Sequence, residues 1–496
     1  MIRTRFAPSP TGVLHIGNAR TALFNYLFTK KEKGVFVLRI EDTDEERSSS
    51  VFEKDIIENL KWLGINWDEG PYKQSKRRNI YEKYIKQLIN EDKAYYCFCS
   101  QEELAAEKQY QMSIGQPTQY NQKCRNLSKK EVEKKLQENK YIIRFKTPEK
   151  KVEFNDLIRG KIEFDTKLID DFAIAKNLQN PLYNFAVVID DFEMDITHVI
   201  RGEDLLPNTP KQILIQEALG FPVINFAHLP VILGPDKKKM SKRHGATAIQ
   251  EYKEQGYLQE ALINFLAFLG WNPDSEREIY TINDLLKDFS IEKVHKAAAI
   301  FNIERLNYLN GLYIRKKNIK ELTKLCLPYI DLIEPIISSE QYPPAYGGQQ
   351  ITQGYKIKET KEIITFEYLE KIISLYQERL KKISEITELT SYFFKKQLIY
   401  DKGLLAWKGS APNPALDIIE LKLLNIKEWT FENLEKILTD LSLEYAQSIN
   451  KDKDRGYIMW PLRAALTGQK SSAGPIDIAL ILGKEKTLNR IKQAKK

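Results

Sequence analysis

The chain is poor in cysteine, with four in 496 residues. So few cannot form the disulfide scaffold of a small secreted domain, and a reducing cytoplasm is the expected location. No apolar run is long enough to cross a bilayer, and no basic start is followed by an apolar h-region, so neither a membrane protein nor a secretory leader is expected. The net charge of +8 is modest, and it suits a polyanionic partner without requiring one.

The beginning of the chain alternates between strand and helix patterns. Compact apolar runs predict strands at 2–6 and 35–40, and apolar stripes predict helices at 17–31 and 51–63. This order is typical of a parallel sheet with crossover helices. The length and a hydrophobic content of 42% indicate about two to four globular domains.

The alternation breaks near residue 95 and resumes near residue 184. Between these points we expect helical pieces and short strands, including a helix opened by a capping box at Ser128. A strand at 195–201 follows, then a helix with Thr209 as its N-cap, Pro210 at its first position and Gly220 at its end, and then a strand at 226–233. A smaller module therefore interrupts a doubly wound domain. Beyond 246 the pattern is helical, with a linker-like stretch at 341–350.

The first chemically informative phrase is APSPTGVLHIGN at residues 7–18. A turn that opens a helix collects backbone N–H groups and the positive end of the helix dipole, which favours a phosphate. Gly17 would let a nucleotide approach the backbone, and His15 can donate to a phosphate oxygen. The alternative is that His15 only caps an ordinary helix.

The second phrase, KMSKR at residues 239–243, directly follows Lys237 and Lys238. It predicts a flexible lid whose ammonium groups, that of Lys242 above all, stabilise charge on phosphates during transfer. The alternative is a solvated basic loop. A strand leads into this loop, so both phrases are expected to face the crevice at the carboxyl ends of the sheet strands.

Together the phrases resemble the HIGH and KMSKS signatures of class I aminoacyl-tRNA synthetases. Neighbouring segments are similar to bacterial-type glutamyl-tRNA synthetases: RFAPSPTG at 5–12, ARTAL at 19–23, RIEDTD at 39–44, VIRGED at 199–204, SKRHG at 241–245 and LRAALTG at 462–468. Asn18 replaces the last histidine of the signature, a position at which the glutamyl branch also varies.

The resemblance implies an α/β fold with a split, doubly wound (HUP-type Rossmann) catalytic domain and an all-α C-terminal half. The implied domains are the catalytic domain at 1–94 and 184–245, an inserted α+β acceptor-end-binding module at 95–183, a helical stem-contact domain at 246–335, a linker-like stretch at 336–359 and a helical anticodon-binding domain at 360–496.

The implied reaction has two steps. The α-carboxylate of L-glutamate attacks the α-phosphorus of ATP, which carries Mg²⁺, and releases pyrophosphate. The glutamyl group then passes to the 3′-terminal adenosine of tRNA(Glu). The alternative is a non-discriminating enzyme that also charges tRNA(Gln). The resemblance further implies a monomer in the cytoplasm with no membrane partner.

Glutamate carries two carboxylates and an ammonium group, so its pocket needs guanidinium groups and at least one acid. The resemblance implies that Glu41 faces the ammonium, and leaves open which arginine binds the side-chain carboxylate. The implied glutamate-binding residues are Arg5, Ser9, Glu41, Tyr183 and Arg201. The implied catalytic residues are His15 and Lys242, and the implied ATP-binding residues are Ser9, His15, Gly17, Asn18, Glu203, Lys239, Ser241, Lys242 and Arg243. Arg379 is the implied anticodon contact.

Three cysteines form a C-x-C-x24-C pattern in the inserted module: Cys97, Cys99 and Cys124. This pattern predicts a structural zinc site. Asn126 occupies the position where related proteins often have the fourth ligand, and asparagine is a poor zinc ligand. Tyr95, Tyr96 or a water could complete the site. The alternative is a set of small core residues without metal.

Four other protein classes were weighed. A small-substrate nucleotidyltransferase would have no use for the second half of the chain. A truncated relative that glutamylates a base in tRNA would lack the C-terminal domain. A catalytically dead tRNA-binding protein would be expected to lose His15, Glu41 or Lys242. A glutaminyl-tRNA synthetase would end in β-barrels, and the tail lacks their alternating strands.

Overall fold

The computed structural model describes residues 1–44, 46–138, 140–240, 245–274, 276–337, 352–451 and 453–496. They form two compact units, one of residues 1–254 and 259–306 and the other of residues 255–258 and 307–496. Within these ranges, no helix is both long enough and apolar enough to span a membrane.

The first unit alternates strands and helices at both of its ends and carries short strands between them. Its elements are β1 (Arg3–Phe6), α1 (Ile16–Lys31), β2 (Val35–Ile40), α2 (Ser50–Trp62), β3 (Glu69–Lys73), α3 (Arg78–Asn90), β4 (Ala94–Cys97), α4 (Gln101–Ser113), α5 (Lys129–Glu138), β5 (Ile142–Phe145), β6 (Lys151–Asp156), β7 (Gly160–Asp165), β8 (Ala173–Asn177), β9 (Asn180–Pro181), α6 (Tyr183–Glu193), β10 (His198–Gly202), α7 (Thr209–Leu219), β11 (Asn225–Leu229), β12 (Ile232–Leu233), α8 (Ile249–Glu254), α9 (Gln259–Ala267), α10 (Ile282–Asp288) and β13 (Ala299–Ile300).

A parallel sheet forms the centre of this unit. β1 pairs with β2, and β2 with β3, all in parallel. β10 pairs in parallel with β11, and the backbone N–H of Thr197 donates to the carbonyl of Arg3 at 3.0 Å, which places β10 beside β1. The resulting order β3-β2-β1-β10-β11 confirms the split, doubly wound domain.

The local sequence explains these elements. β2 reads VFVLRI and buries five of its six residues, as a strand covered on both faces should. α7 ends at Gly220, whose φ of 70° lies in the left-handed region that glycine adopts without strain. The strand predicted at 226–233 is divided into β11 and β12, because Pro230 between them has no N–H to donate.

The inserted segment is divided between two sheets. β4, β5, β8 and β9 form an antiparallel sheet of their own. The antiparallel hairpin β6–β7 instead joins the central sheet, because β6 pairs with β11 at Asp156 and Phe226. The expected module is therefore not structurally separate from the catalytic sheet.

The second unit is mainly helical. Its elements are α11 (Ile303–Lys316), which begins in the first unit, α12 (Ile319–Cys326), β14 (Ile333–Ile337), β15 (Thr352–Ile357), β16 (Ile363–Ile364), α13 (Phe366–Ser374), α14 (Ile386–Thr390), α15 (Lys402–Leu405), α16 (Pro412–Leu424), α17 (Phe431–Ser448), α18 (Gly456–Thr467) and α19 (Pro475–Ala494).

One prediction about this half is wrong. β14, β15 and β16 form an antiparallel sheet, so the C-terminal half is largely helical and not all-α. Part of the stretch predicted to be linker-like, 352–357, is the central strand of that sheet. The linker predicted at 341–350 lies outside the described residues.

Candidate active site

The turn before α1 places His15 at the start of the helix. Nδ1 of His15 accepts hydrogen bonds from the backbone N–H groups of Gly17 and Asn18 at 3.1 and 3.3 Å. These two N–H groups are the ones expected to bind a phosphate. In the structure His15 is the N-cap residue of α1, and its side chain accepts both of them. Because Nδ1 accepts, the proton of the neutral ring is on Nε2, and this nitrogen is the one that can donate to a phosphate oxygen.

Two further contacts fix this turn. The N–H of Leu14 donates to Oδ2 of Asp55 at 2.7 Å. A Cβ atom at Gly17 would lie 3.2 Å from the His15 ring, so a side chain there would displace the imidazole. Gly17 is thus needed for the position of His15.

The residues that flank the lysine-rich loop lie at the same turn. Residues 14–16 and 247–249 exchange backbone hydrogen bonds, with Ile16 N–H donating to Thr247 and Ile249 N–H to Leu14, both at 2.9 Å. On the other flank, Nζ of Lys239 lies 3.9 Å from Oδ2 of Asp204. Residues 241–244 lie outside the described residues, so the roles of Ser241, Lys242 and Arg243 stay predictions.

The electrostatics of His15 also connect the two phrases. Its side chain is exposed in the cleft, yet desolvation by the surrounding protein lowers its pKa, and the nearby ammonium of Lys239 lowers it further. The carboxylate of Asp204 acts in the opposite direction. The imidazole is therefore neutral near pH 7 and can act as a hydrogen-bond donor through Nε2.

Two of the predicted glutamate-binding residues belong to a chain of buried ion pairs, which we call the ionic wall: Arg5, Arg39, Glu41 and Asp191. Oδ1 of Asp191 accepts from Nε of Arg5 at 3.1 Å and from Nη1 of Arg39 at 2.8 Å. Nη2 of Arg39 donates to Oε1 of Glu41 at 3.1 Å. β1, β2 and α6 thus bring predicted residues of opposite charge, Arg5 and Glu41, into one network.

The two acids of the ionic wall differ in their protonation. Burial raises the pKa of Glu41, although Arg39 acts against this shift. Burial acts in the same direction on Asp191, but Arg5 and Arg39 outweigh it, and the pKa of Asp191 is lowered. Glu41 is therefore the acid whose negative charge the protein compensates least, which suits a ligand ammonium.

Arg201 is held by neutral groups, without a carboxylate in direct contact. Its guanidinium donates from Nε to Nε2 of His228 at 3.1 Å, from Nη1 to Oε1 of Gln212 at 2.9 Å and from Nη2 to Oγ1 of Thr209 at 2.8 Å. We call Thr209, Gln212 and His228 the neutral cradle. In the part of the chain that the structure describes, no acid lies within ion-pair distance of Arg201.

The other predicted glutamate-binding residues lie near these groups. Burial raises the pKa of Tyr183 at the start of α6, and the charges of Glu41, Arg201 and Arg5 also act on its hydroxyl. The structure thus brings these four together. Ser9 is exposed, and the carbonyl of its neighbour Pro8 accepts from the N–H of Glu41 at 3.0 Å.

Glu203 is already engaged within the protein. Oε1 accepts from the N–H of Val231 at 2.7 Å, and Oε2 pairs with the guanidinium of Arg159 in the turn of the β6–β7 hairpin. Both oxygens thus brace the hairpin against the end of β11. A nucleotide contact by Glu203 stays a prediction.

The three predicted cysteines form a cluster with a tyrosine. The sulfur atoms of Cys97, Cys99 and Cys124 all lie within 4.8 Å of one another. The hydroxyl oxygen of Tyr120 lies 3.3 Å from Sγ of Cys97 and 3.6 Å from Sγ of Cys99. These four groups could hold a metal ion.

The two tyrosines that the sequence offered as possible fourth ligands, Tyr95 and Tyr96, have other contacts. Oη of Tyr95 donates to Oδ2 of Asp171 at 2.9 Å, and the ring of Tyr96 packs against Tyr141. Tyr120 precedes Cys124 by only four residues, which was the available sequence signal that it belongs to the cluster.

Arg379 belongs to the second unit and is exposed. Its Nη1 donates to the carbonyl of Ser472 at 2.6 Å. Burial lowers the pKa of Arg463, and the charge of Arg379 lowers it further, so the two guanidinium groups lie close together. A contact between Arg379 and an anticodon stays a prediction.

Several residues of the site were not predicted. They are Arg39, Asp191, Gln212, His228 and Asp156, and all are buried. Arg39 stands in the quoted segment RIEDTD, beside Glu41, and Thr209 and Gln212 are one helical turn apart; these were the available signals.

Comparisons with known proteins agree across the whole chain. The family model "tRNA synthetases class I (E and Q), catalytic domain" matches residues 1–308, and the model "Anticodon binding domain" matches residues 321–495. The chain is 44% identical over 508 residues to glutamate–tRNA ligase 1 of Caldicellulosiruptor saccharolyticus, covering 99% of this chain and 98% of that protein. It is also 44% identical over 504 residues to glutamate–tRNA ligase of Carboxydothermus hydrogenoformans, covering 99% of both.

A solved structure is similar over the same extent. It is a glutamate tRNA ligase from Elizabethkingia meningosepticum in complex with its amino acid. The TM-score is 0.85 at 34% identity, and the match covers 100% of this chain and 99% of that one.

Proposed function

The chain belongs to the glutamate–tRNA ligases, class I aminoacyl-tRNA synthetases, and from this premise we propose how its residues divide the reaction. Glutamate, ATP and tRNA(Glu) are the substrates, and the products of the two steps are glutamyl-adenylate with pyrophosphate, then glutamyl-tRNA with AMP. The chain is expected to act as a monomer in the cytoplasm, where tRNA is charged.

The proposal for glutamate rests on one observation: Arg5, Glu41 and Arg201 all lie close enough to Tyr183 for their charges to act on its hydroxyl, so both charge signs are available at one place. The substrate ammonium pairs with Glu41, whose negative charge is compensated least. The side-chain carboxylate binds Arg201, because no protein acid neutralises that guanidinium within the described residues. Arg5, which shares Asp191 with Arg39, supplies a second positive charge to the site.

The proposal for ATP uses the turn at His15 and the lysine-rich loop. Nε2 of His15 donates to a phosphate oxygen, and Ser9, Gly17 and Asn18 line the approach to it. Mg²⁺, bound largely through phosphates and water, travels with ATP and offsets phosphate charge. Lys239 is near His15, as the lowered pKa of that imidazole indicates. We place Ser241, Lys242 and Arg243 over the phosphates from their sequence position, with Lys242 stabilising the charge that develops on pyrophosphate.

The glutamate proposal is tested with Arg201→Met, which keeps an unbranched apolar side chain and removes the charge. We expect the KM for glutamate to rise by at least about 100-fold, since a buried charge pair is lost. The KM for ATP should change by less than about threefold, because Arg201 is assigned to glutamate and not to ATP. Equal losses for both substrates would refute the assignment.

The lid proposal is tested with Lys242→Ala. Adenylate formation should slow by about 100-fold or more, because a preorganised positive charge at the phosphates is removed. Lys237→Ala is the matched control, since it removes a lysine of the same loop outside the KMSKR phrase. Equal rates for the two variants would contradict the special role of Lys242.

We further propose that the cysteine cluster binds zinc. Cys97, Cys99 and Cys124 supply sulfur ligands, and Tyr120 is the oxygen group nearest to them. The thiol of Cys124 and the hydroxyl of Tyr120 lower the pKa of Cys97 well below its usual range, although burial opposes this shift. A thiolate is the form that binds zinc.

The zinc would brace the inserted segment and take no part in the chemistry. Metal analysis of the purified protein should give about one equivalent, and Cys99→Ser should lower it. Less than about a tenth of an equivalent in the wild type would support the alternative of cysteines without metal.

We propose tRNA(Glu) as the RNA substrate, bound at its anticodon by the second unit. Aminoacylation assays with purified tRNA(Glu) and tRNA(Gln) should show charging of the first alone. Comparable rates with both would establish the non-discriminating alternative.

A further inference from the structure

We infer that Thr209, Gln212 and His228 are positioning residues that hold Arg201 without a direct ion pair, and that their neutrality sets the preference for glutamate over glutamine. The more distant charges of Asp191 and Glu41 also act on Arg201. This inference rests on the proposed function of Arg201 as the ligand of the side-chain carboxylate. It concerns the acceptors behind the guanidinium and not the contact with substrate.

The cradle fixes Arg201 and leaves two of its N–H groups available. A guanidinium has five N–H donors, and three of them are taken by one cradle residue each. One N–H on Nη1 and one on Nη2 have no such partner, and two donors match the two oxygens of a carboxylate. The carbon Cζ of Arg201 also lies 5.4 Å from the centroid of the Phe226 ring, which supports the guanidinium plane.

His228 is held as a neutral acceptor. It lies directly opposite Arg201 on the adjacent parallel strand. Its Nδ1 lies 2.6 Å from Oδ2 of Asp156, while its Nε2 faces Nε of Arg201 at 3.1 Å. Since Nε2 accepts from a guanidinium that cannot lose its proton, the proton of the ring is on Nδ1 and is donated to Asp156. Burial lowers the pKa of His228, which agrees with a neutral ring.

The carboxylate of Asp156 does not contact Arg201 directly, because the side chain of His228 lies between them. Its Oδ1 accepts the N–H groups of Ile158 and Arg159 at 2.9 and 2.8 Å. The imidazole of His228 stands between this carboxylate and Arg201. Asp156 therefore orients His228 of the neutral cradle without forming an ion pair with Arg201.

At Gln212 the charge of the acceptor can be changed without changing its shape. Its Oε1 accepts from Arg201, and its Nε2 donates to Oδ1 of Asn184 at 3.1 Å. A glutamate at 212 would keep the same acceptor in nearly the same place, and the amide of Asn184 could turn to donate to it. The substitution thus changes charge and conserves shape.

The physical consequence concerns the ligand. An arginine already paired with a protein carboxylate gains less from a second carboxylate, whereas an uncompensated arginine needs an anion. Glutamine would leave such a guanidinium buried and without its counter-charge, which is costly. Because the acceptors around Arg201 are neutral, the negative charge that pairs with it must come from the substrate.

The experiment compares Gln212→Glu with Gln212→Met in the full chain, by steady-state aminoacylation of tRNA(Glu). Gln212→Glu should raise the KM for glutamate by about 100-fold, with the KM for ATP within about threefold and kcat little changed. Its kcat/KM ratio for glutamate over glutamine should fall by a similar factor. Gln212→Met removes the acceptor but adds no charge, and it should cost about tenfold or less.

Two outcomes would overturn the inference. One is a KM for glutamate in Gln212→Glu within about threefold of the wild type; the other is a loss in Gln212→Met as large as that in Gln212→Glu, which would show that position and not charge matters. If Gln212→Glu does not fold, Thr209→Asp provides the same test, because an acid in the first turn of α7 is favoured by the helix dipole. Arg201→Met distinguishes a failure of this inference from a failure of the proposed function. An unchanged KM for glutamate in Arg201→Met would refute the proposed function of Arg201. A large rise in that KM, together with an unchanged KM in Gln212→Glu, would refute only the role of the neutral cradle.

Discussion

The ionic wall and the neutral cradle differ in the charge of the groups that contact their arginines. Arg5 and Arg201 are equally buried, each 4% exposed, so burial does not distinguish them. Arg5 shares the carboxylate of Asp191 with Arg39, whereas Arg201 donates only to a hydroxyl, an amide and an imidazole. The two buried arginines thus differ in the charge of their direct neighbours, and the proposed role of Arg201 in binding a ligand depends on that difference.

The largest effect is expected for Asp191→Asn in the ionic wall. It removes the carboxylate that two buried guanidinium groups share, and breaking a buried pair typically costs about 3–5 kcal/mol. We expect a loss of that size in the free energy of unfolding, measured by urea denaturation at pH 7. Glu69→Gln is the matched control: Glu69 also pairs with an arginine, Arg3, but its side chain is 38% exposed, so its loss should be less than about 1 kcal/mol.

The same variant has a pH signature. The pKa of Asp191 is lower in the folded protein than in the unfolded chain, where aspartate titrates near about 3.9. Its stabilising contribution is therefore complete above that value and is lost as the pH falls through the folded pKa. The difference in stability between the wild type and Asp191→Asn should shrink in acid, and a difference that stays constant down to pH 2 would contradict the ionic wall.

An intermediate effect, with opposite signs in stability and activity, is expected for Glu41→Gln. The folded pKa of Glu41 is raised, so its ionisation destabilises the folded protein as the pH rises from about 4.3, the unfolded value, through the folded pKa. At pH 7 without glutamate the variant should melt at a higher temperature than the wild type. Its KM for glutamate should rise by at least about tenfold, because the substrate ammonium loses its partner.

The gain in melting temperature of Glu41→Gln should disappear near pH 4, where both proteins are neutral at this position. Glu41→Asp serves as the control, since it keeps the charge. A variant less stable than the wild type at pH 7 would mean that Arg39 compensates Glu41 fully.

The smallest effect is expected for Thr209→Val in the neutral cradle. It removes one hydroxyl acceptor from a guanidinium that keeps two others, so a loss of about 1–2 kcal/mol in unfolding free energy is expected. Thr209→Ser should restore most of it, because the hydroxyl returns. If Thr209→Val costs as much as Asp191→Asn, the contrast between the ionic wall and the neutral cradle does not hold.

The sequence predicted the parts of the fold that depend on local patterns. The strand expected at 35–40 is β2, because an apolar run bounded by Gly34 and an acidic stretch has few other solutions. The helix expected at 17–31 begins one residue earlier, at Ile16. The capping box at Ser128 is also confirmed, since the N–H of Ser128 donates to Oε2 of Glu131 at 2.8 Å and the N–H of Glu131 donates to Oγ of Ser128 at 3.4 Å.

Long-range pairings escaped prediction. Asp191 lies 186 residues from Arg5 and 152 from Arg39 in the chain, and no periodicity connects them. The short strands β14 and β15 were missed for a different reason: a stretch rich in proline, glycine and glutamine separates them, and it favours a linker reading over a hairpin. The family resemblance supplied the residues that are predicted to contact substrate, but not the residues that position them.

The β6–β7 hairpin limits how this protein can be rebuilt. Excising residues 95–183 for a graft would expose the edge of β11 and invite intermolecular strand pairing. It would also take Asp156 away from His228 and Arg159 away from Glu203. Chimaeras that exchange the inserted segment should therefore retain 151–165 with the host scaffold, because those fifteen residues pair with β11 and supply the partners of His228 and Glu203.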